Sequence, residues 1–120
     1  MTIGEVRDAV HATLLCGGEM VDEEVLCACG SDLMSDVLAF SKDTAVLLTG
    51  LCNPQSIRTA EMMDVKCILY VRDKKPTLDM ISMADEAGIA LLSTGHRMFT
   101  ACGLLYAAGL RGGSDYERFT

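Results

Sequence analysis

Short, nearly uninterrupted apolar runs recur through the second half of the chain. They extend from Thr44 to Leu48, from Lys66 to Val71 and from Ile89 to Leu92. Such runs are typical of strands that are buried on both faces of a parallel sheet. The pattern therefore predicts three buried strands.

The segments between these runs carry signals for helices. In NPQSIRTAEMMD, Asn53 suits the N-cap and Pro54 suits the first helical position. In PTLDMISMADEAG, Pro76 is placed to start a helix and Gly88 to end it. Each segment therefore predicts a helix that connects two of the strands.

The N-terminal part of the chain predicts the same alternation. Thr2 and Glu5 fit a capping box, which predicts a helix from about Ile3 to His11. Two short apolar runs, from Ala12 to Cys16 and from Val25 to Cys29, predict two more strands.

Two further helices complete the pattern. Ser31 and Asp32 predict the cap of a helix whose apolar residues are Leu33, Val37, Leu38 and Phe40. A last helix is predicted from about His96 to Ala108. The residues that recur at helical spacing in this segment are Phe99, Cys102, Gly103 and Tyr106.

Alternating strands and helices form right-handed crossovers and a mainly parallel sheet between layers of helices. The sequence therefore predicts the α/β class, as a three-layer α/β/α fold. Residues 1–110 are expected to form a single domain, and residues 111–120, RGGSDYERFT, a flexible C-terminal tail.

Composition narrows the class of protein. The 120 residues suffice for one core, and 50% hydrophobic with 22% charged residues excludes disorder. The formal charge of -7 disfavours nucleic acid as a partner.

No apolar run reaches the roughly 18 residues of a membrane span, and MTIGEVRDAV lacks the features of a signal peptide. We therefore expect a cytoplasmic protein without a membrane partner, whose six cysteines are thiols.

Loops that follow parallel strands gather at one edge of the sheet, where ligands usually bind. Four segments are expected there: CGSDLMSD, TGLCNPQS, VRDKKPT and STGHRMFT. Three of them open helices, whose N-terminal amides favour anions. The candidate ligand-binding residues in these segments are Ser31, Asp32, Thr49, Gly50, Asn53, Arg72, Lys74, Ser93, Thr94, Gly95 and His96.

The segment VLLTGLCNPQ joins a strand to a helix through one glycine, but it is not a P-loop. It lacks the further glycines and the lysine that hold phosphate, and Pro54 removes an amide donor. An ordinary strand-to-helix corner is favoured over a phosphate site.

The other polar residues of these segments leave alternatives open. His96 and Arg97 are available to an anion, with Ser93 or Thr94 as helix caps. A small enzyme that uses His96 as a base with Asp32 is an alternative. Asp32 and Asp36 could share a cation, although acidic residues in a helix's first turn already interact favourably with its dipole. No catalytic residue is assigned.

The cysteines support a second alternative, a metal or redox protein. Cys27 and Cys29 share a face of a strand about 6.6 Å apart along the chain, which suits a single tetrahedral metal poorly. They are weak metal candidates, and neither a metal nor another cofactor is predicted. Cys52, beside a helix start, is expected to have a lowered pKa and to be reactive.

Four segments occur in a recognisable order: CGSDLMSDVLAF, VLLTGLCNPQSI, ILYVRDKKPTLDMISMADEAGIALLST and HRMFTACGLL. Together with MTIGEVRDAVHATLLCGGE upstream, and so over about residues 2–110, they resemble the DRTGG domain family. The chain differs at the letters that name this family. Leu51-Cys52 replaces Asp-Arg after Thr-Gly, and Tyr70-Val71-Arg72 stands where Thr-Gly-Gly would end the next strand.

The resemblance implies a three-layer α/β/α domain used for regulation or subunit contact, often as a dimer. In that family the domain accompanies HPr kinase/phosphorylase, CBS-containing pyrophosphatases and some phosphate acetyltransferases, and no catalytic residues are attributed to it. We therefore expect a non-enzymatic regulatory domain that forms a homodimer, contacts a protein partner in an enzyme complex, and binds a small anionic metabolite or nucleotide at the loop edge of its sheet.

Overall fold

A computed structural model describes residues 1–40 and 45–112, without the side chains of residues 39 and 40. Strands and helices alternate along nearly all of these residues. In chain order they are α1 (Ile3–Ala9), β1 (Thr13–Cys16), β2 (Cys27–Gly30), α2 (Met34–Phe40), β3 (Ala45–Thr49), α3 (Pro54–Met62), β4 (Cys67–Tyr70), α4 (Leu78–Ala87), β5 (Ala90–Ser93) and α5 (Met98–Ala107), with a short 3₁₀ turn at Gly18–Met20.

The five strands form one sheet in the order β1-β5-β4-β3-β2. Strands β2 to β5 are parallel to their neighbours, and β1 pairs with β5 in the antiparallel direction. Consecutive parallel strands therefore lie side by side, and crossovers of one hand bring α2, α3 and α4 to the same face. The mainly parallel sheet confirms the sequence prediction.

The core lies on both sides of the sheet. Every residue of β3, β4 and β5 is buried. Val46 and Leu48 pack with α1 and α5, whereas Leu47 packs with α2, α3 and α4 on the opposite face. Because successive side chains of a strand point to opposite faces, each strand contributes to both clusters. This arrangement confirms the three-layer α/β/α prediction.

Three of the predicted helix signals act as expected. Thr2 Oγ1 accepts from Glu5 N at 3.1 Å and Glu5 Oε1 accepts from Thr2 N at 2.8 Å, which completes the capping box. Asn53 is the N-cap of α3 with Pro54 at its first position, and Gly88 ends α4 with φ 72°. These local signals fix three helix termini.

Other predicted helix bounds were wrong by one to two residues. Helix α1 ends at Ala9, because His11 adopts a left-handed backbone with φ 55°. Helix α4 begins after Pro76, since Thr77 is the N-cap and its hydroxyl accepts from Met80 N. Helix α2 begins at residue 34, so neither residue 31 nor residue 32 directly precedes it.

Helix α5 differs most from its prediction. It begins at Met98 with Arg97 at the cap position and without a side-chain cap bond, so the expectation that residue 93 or 94 caps it was wrong. Its inward residues are Ala101 and Leu105, and the aromatic residues at the predicted spacing are exposed. The helical period was correct, but these aromatic side chains face away from the core.

The described helices are short. The longest, α4 and α5, have ten residues each, about 15 Å of helix against a hydrocarbon core of about 30 Å. No helix in residues 1–40 or 45–112 has the length and apolarity to cross a membrane.

The C-terminal segment is described as far as residue 112. Arg111, placed by the sequence at the start of the tail, forms a parallel bridge with Cys27, and its carbonyl accepts from Ala28 N at 2.9 Å. The rest of the predicted tail, residues 113–120, lies outside the described residues, as do Thr44 and the side chain of Phe40.

Tyr70 links the sheet to α3 and gives the fold a pH dependence. It is fully buried, with its hydroxyl 2.6 Å from Ser56 Oγ, and burial raises its pKa to about 12 from 10.0. The folded state thus keeps a proton that the unfolded state releases. This contribution to stability is present below about pH 10 and is lost as the pH rises through about 12.

We predict that the free energy of unfolding falls more steeply in the wild type than in Tyr70→Phe between about pH 9 and 12. Urea unfolding at several pH values measures the slopes. The exposed Tyr106→Phe is the matched control and should keep the wild-type slope. Equal slopes in the wild type and Tyr70→Phe would contradict this origin of the pH dependence.

Candidate functional site

The carboxyl ends of the parallel strands are level. Tyr70 of β4 pairs with Thr49 of β3 on one side and with Ser93 of β5 on the other. Four loops leave the sheet at this edge, at residues 31–33, 50–53, 71–77 and 94–97. We call them together the loop edge. The expected gathering of four segments at one edge is confirmed.

The backbone amides of the corner between β3 and α3 are bonded within the protein. Gly50 N donates to Asp32 Oδ1 at 2.6 Å, and Leu51 N donates to Thr49 Oγ1 at 3.1 Å. Asn53 N donates to Leu51 O at 3.1 Å. A phosphate cradle needs several amides that face the ligand, so this segment is a self-bonded corner.

Asp32 connects three of the loops. Its Oδ1 also accepts from Thr49 Oγ1 at 3.2 Å, and its Oδ2 lies 3.9 Å from Arg72 Nη2. Both charged side chains are about half exposed, so the ion pair itself adds little stability. The guanidinium lies across Gly50, where a Cβ would be 3.0 Å from Arg72 Cζ. Only glycine leaves room for this side chain.

The loop after β4 turns through two left-handed residues. Arg72 has φ 62° and Asp73 has φ 58°, a conformation that costs non-glycine residues energy. Their amides donate to His96 O at 2.8 Å and to Thr94 O at 2.9 Å, which ties this turn to the loop after β5. Backbone strain maintained in this way is common at binding sites.

Three predicted site residues, Thr49, Ser93 and Thr94, have buried hydroxyls that hold the loops together. Ser93 Oγ donates to Lys74 O at 2.6 Å, and Thr94 Oγ1 donates to Val10 O at 2.7 Å. These contacts position the loop edge from beneath. Direct contact of the three hydroxyls with a ligand stays a prediction.

The remaining predicted site residues lie nearer the surface. Ser31 Oγ accepts from Leu33 N at 3.0 Å in a local turn, and Asn53 Oδ1 caps α3. Lys74 and Gly95 are exposed. Asp32, Gly50, Arg72 and the loop of His96 therefore form a connected group, while Ser31 and Asn53 serve their own turns.

The loop edge carries a charge opposite to that of the chain. Its four loops contain four basic residues, Arg72, Lys74, Lys75 and Arg97, against two acidic residues, Asp32 and Asp73. The whole chain has a formal charge of -7. Local excess of positive charge in an acidic protein attracts anions to this place.

His11 was not among the predicted site residues, yet it lies at the loop edge. Its Nδ1 is 3.4 Å from His96 Nε2. The antiparallel β1 pairs Thr13 with Ser93, which brings the loop before β1 to the carboxyl end of β5. No sequence signal identifies this neighbour, because no local residue pattern indicates that an edge strand pairs in the antiparallel direction.

The alternative of an enzyme based on His96 and Asp32 receives no support from their contacts. Asp32 bonds to Gly50 and Thr49 and faces Arg72, whereas the imidazole of His96 faces His11. The side chains of the two proposed catalytic groups therefore contact different partners.

The cysteine side chains are not grouped around a common position for a metal ion. Cys27 and Cys29 lie on the face of β2 that packs against α2, α3 and α4, as predicted for alternate strand residues. In the part of the chain that the structure describes, no group of three or more His, Cys, Asp or Glu side chains is arranged to hold a metal ion. Burial raises the pKa of the Cys52 thiol, so the expectation of a lowered pKa was wrong.

Comparison with known proteins supports the fold. No family model matches this chain. A crystal structure of the CBS and DRTGG domains of the regulatory region of Clostridium perfringens pyrophosphatase, complexed with its activator diadenosine tetraphosphate, is similar with a TM-score of 0.69 and 14% sequence identity. The match covers 87% of this chain and 45% of that chain, so this chain spans under half its length. The likeness supports a DRTGG-like fold.

Asp32 should contribute more to the free energy of unfolding than a neighbouring surface carboxylate. Replacing it with alanine leaves the Gly50 amide and the Thr49 hydroxyl without their acceptor. We predict that Asp32→Ala lowers the free energy of unfolding by about 1–2 kcal/mol. Asp36→Ala, the matched control on α2, should change it by less than about 0.5 kcal/mol. Urea unfolding measures both, and equal effects would show that the Asp32 contacts do not stabilise the loop edge.

Proposed function

We propose that this chain is a non-enzymatic regulatory domain that binds a small anionic metabolite or nucleotide at the loop edge. The domain self-associates and transmits the state of this site to a protein partner in an enzyme complex. The observation that carries the ligand site is the guanidinium of Arg72, which lies across Gly50 and beside Asp32.

The position of this guanidinium suits anion recognition. A planar guanidinium binds carboxylate and phosphate through two parallel hydrogen bonds. Its partner Asp32 lies at 3.9 Å, beyond hydrogen-bond length, so the donors of Arg72 have capacity for a ligand. Because the corner amides are bonded internally, the ligand is recognised by side chains, with Lys74 and His96 from the adjoining loops.

The class of ligand follows from two considerations. Several basic groups distributed over the loop edge suit an anion with more than one charged group. The similar pyrophosphatase region was crystallised with the activator diadenosine tetraphosphate. Both support nucleotides with a phosphate chain as the first class to test, followed by acyl phosphates and coenzyme A.

We predict that one of these ligands raises the melting temperature of the wild type. At a concentration 100-fold above its dissociation constant it should add about 2.7 kcal/mol, or about 10 °C. The screen uses AMP, ADP, ATP, diadenosine tetraphosphate, acetyl phosphate and coenzyme A. If none of them raises the melting temperature, the ligand part of the proposal is wrong.

Two variants test whether the ligand binds at Arg72. Arg72→Ala removes the guanidinium, and Gly50→Ala displaces it, because the new Cβ meets the far end of a flexible side chain. Both should abolish the shift of the wild type. Lys66→Ala is the control, since it removes a positive charge at the opposite end of β4 and should keep the shift. A shift retained in Arg72→Ala would place the ligand elsewhere.

Self-association is supported by an apolar side chain on α5. Phe99 is 79% exposed and lies on one face of the helix with Gly103 and Tyr106. A large exposed apolar side chain on a helix face is a common anchor of protein contacts. We include this face of α5 in the proposal as the contact between two copies.

We predict a dimer of twice the 12.9 kDa chain mass in native mass spectra. Phe99→Ser should shift the population to monomer. Leu78→Ser is a matched control, because Leu78 is 84% exposed on α4, and this variant should remain dimeric. A monomeric wild type over the micromolar range would overturn self-association, and loss of the dimer in both variants would exclude α5 as the specific contact.

A further inference from the structure

We propose that His11 and His96 form a binding site for a divalent transition metal ion such as Zn²⁺. This site shares His96 with the proposed anion site, but it does not include the contact between Arg72 and Asp32 and is tested without the anion. The two imidazoles come from loops that are far apart in sequence and meet at the loop edge.

The separation of the two nitrogens matches that of two ligands on one metal ion. Two imidazole nitrogens at 2.0–2.1 Å from a tetrahedral zinc lie about 3.3–3.4 Å apart. The distance from His11 Nδ1 to His96 Nε2 is 3.4 Å. The same distance lies within hydrogen-bond range, so the two nitrogens are close enough to share either a proton or a metal ion.

Each histidine must adopt the neutral tautomer that leaves its metal-facing nitrogen without a proton. His11 presents the lone pair of Nδ1 and keeps its proton on Nε2, and His96 presents Nε2 and keeps its proton on Nδ1. Neutral imidazole is the form that binds metal. The step needs only that each ring carries its proton on the outer nitrogen.

The backbone beneath the pair is preorganised by Thr94. Its hydroxyl, 2% exposed, donates to Val10 O at 2.7 Å and accepts from His96 N at 3.3 Å. One buried side chain thus fixes the residue before His11 and the amide of His96 together. Fixing the ligands in advance reduces the entropy lost when a metal binds.

The local conformation and exposure also suit a metal ion. His11 has φ 55°, a left-handed conformation that costs a non-glycine residue energy and often marks a binding position. His11 is exposed and His96 is half-buried. No third protein ligand completes the pair within residues 1–40 and 45–112. The remaining coordination positions are therefore open to water.

The 120-residue chain contains two histidines, which makes the test direct. Zn²⁺ is titrated into the protein without any anionic ligand, and the imidazole carbon–proton resonances are followed by NMR. We expect both histidines to shift together and to saturate at one equivalent. In His96→Ala, the response of His11 should weaken at least about tenfold, and the reverse should hold for His11→Ala. Asp36→Asn, on the opposite side of the sheet, should bind as the wild type does.

Thr94 is a positioning residue, and its variants separate this role from general stability. Thr94→Val removes the hydroxyl and should weaken Zn²⁺ binding several-fold, while Thr94→Ser restores both hydrogen bonds and should restore the affinity. Melting temperatures of all variants are measured without metal, so that loss of folding is distinguished from loss of the site.

Three results would overturn the proposal. The first is that His11 responds to Zn²⁺ identically in the wild type and in His96→Ala, because the two rings would then not share an ion. The second is that Zn²⁺ leaves both imidazoles unshifted, because neither ring would then bind the ion. The third is that Co²⁺, used in place of Zn²⁺, produces the ultraviolet band of a thiolate ligand, because the metal would then bind a cysteine. None of these results bears on the nucleotide screen, so the metal site and the proposed function are tested separately.

Discussion

Burial of the central strands on both faces is the constraint on which the rest of the structure depends. All residues of β3, β4 and β5 are enclosed, so helices must cover both sides of the sheet. Parallel strands require long connections, and these place α2, α3 and α4 on one face. The other face is left to α1 and α5, which come from the two ends of the described chain.

The same constraint decides which groups are available at the loop edge. Loops packed against a buried sheet must satisfy their backbone groups, and here they do so with each other. The Asp32 carboxylate accepts a hydrogen bond from the Gly50 amide. The carbonyl of Thr94 accepts from the Asp73 amide, and that of His96 accepts from the Arg72 amide. Recognition at this edge is consequently left to side chains, unlike a P-loop, in which amides bind the phosphate.

The sequence was most informative where a structural signal is local. Apolar runs located the central strands to within one or two residues, and Asn53, Pro54 and Gly88 marked helix ends correctly. It was least informative where two signals compete. Pro76 suggested a helix start, but Thr77 next to it offers a hydroxyl for the first turn. Helical spacing in α5 gave the period without the direction of the face, and the structure buries Ala101 and Leu105 instead of the aromatic residues.

By itself the sequence determined the class of fold, the alternation of its elements and the four loops that meet at one edge. Runs of apolar residues and helix caps act through neighbours in the chain, and such interactions can be read from sequence. Only the tertiary structure decided that Arg72 lies across Gly50 and that His11 faces His96. These contacts depend on strand order and on the antiparallel direction of β1, and both are set by packing between residues distant in the chain.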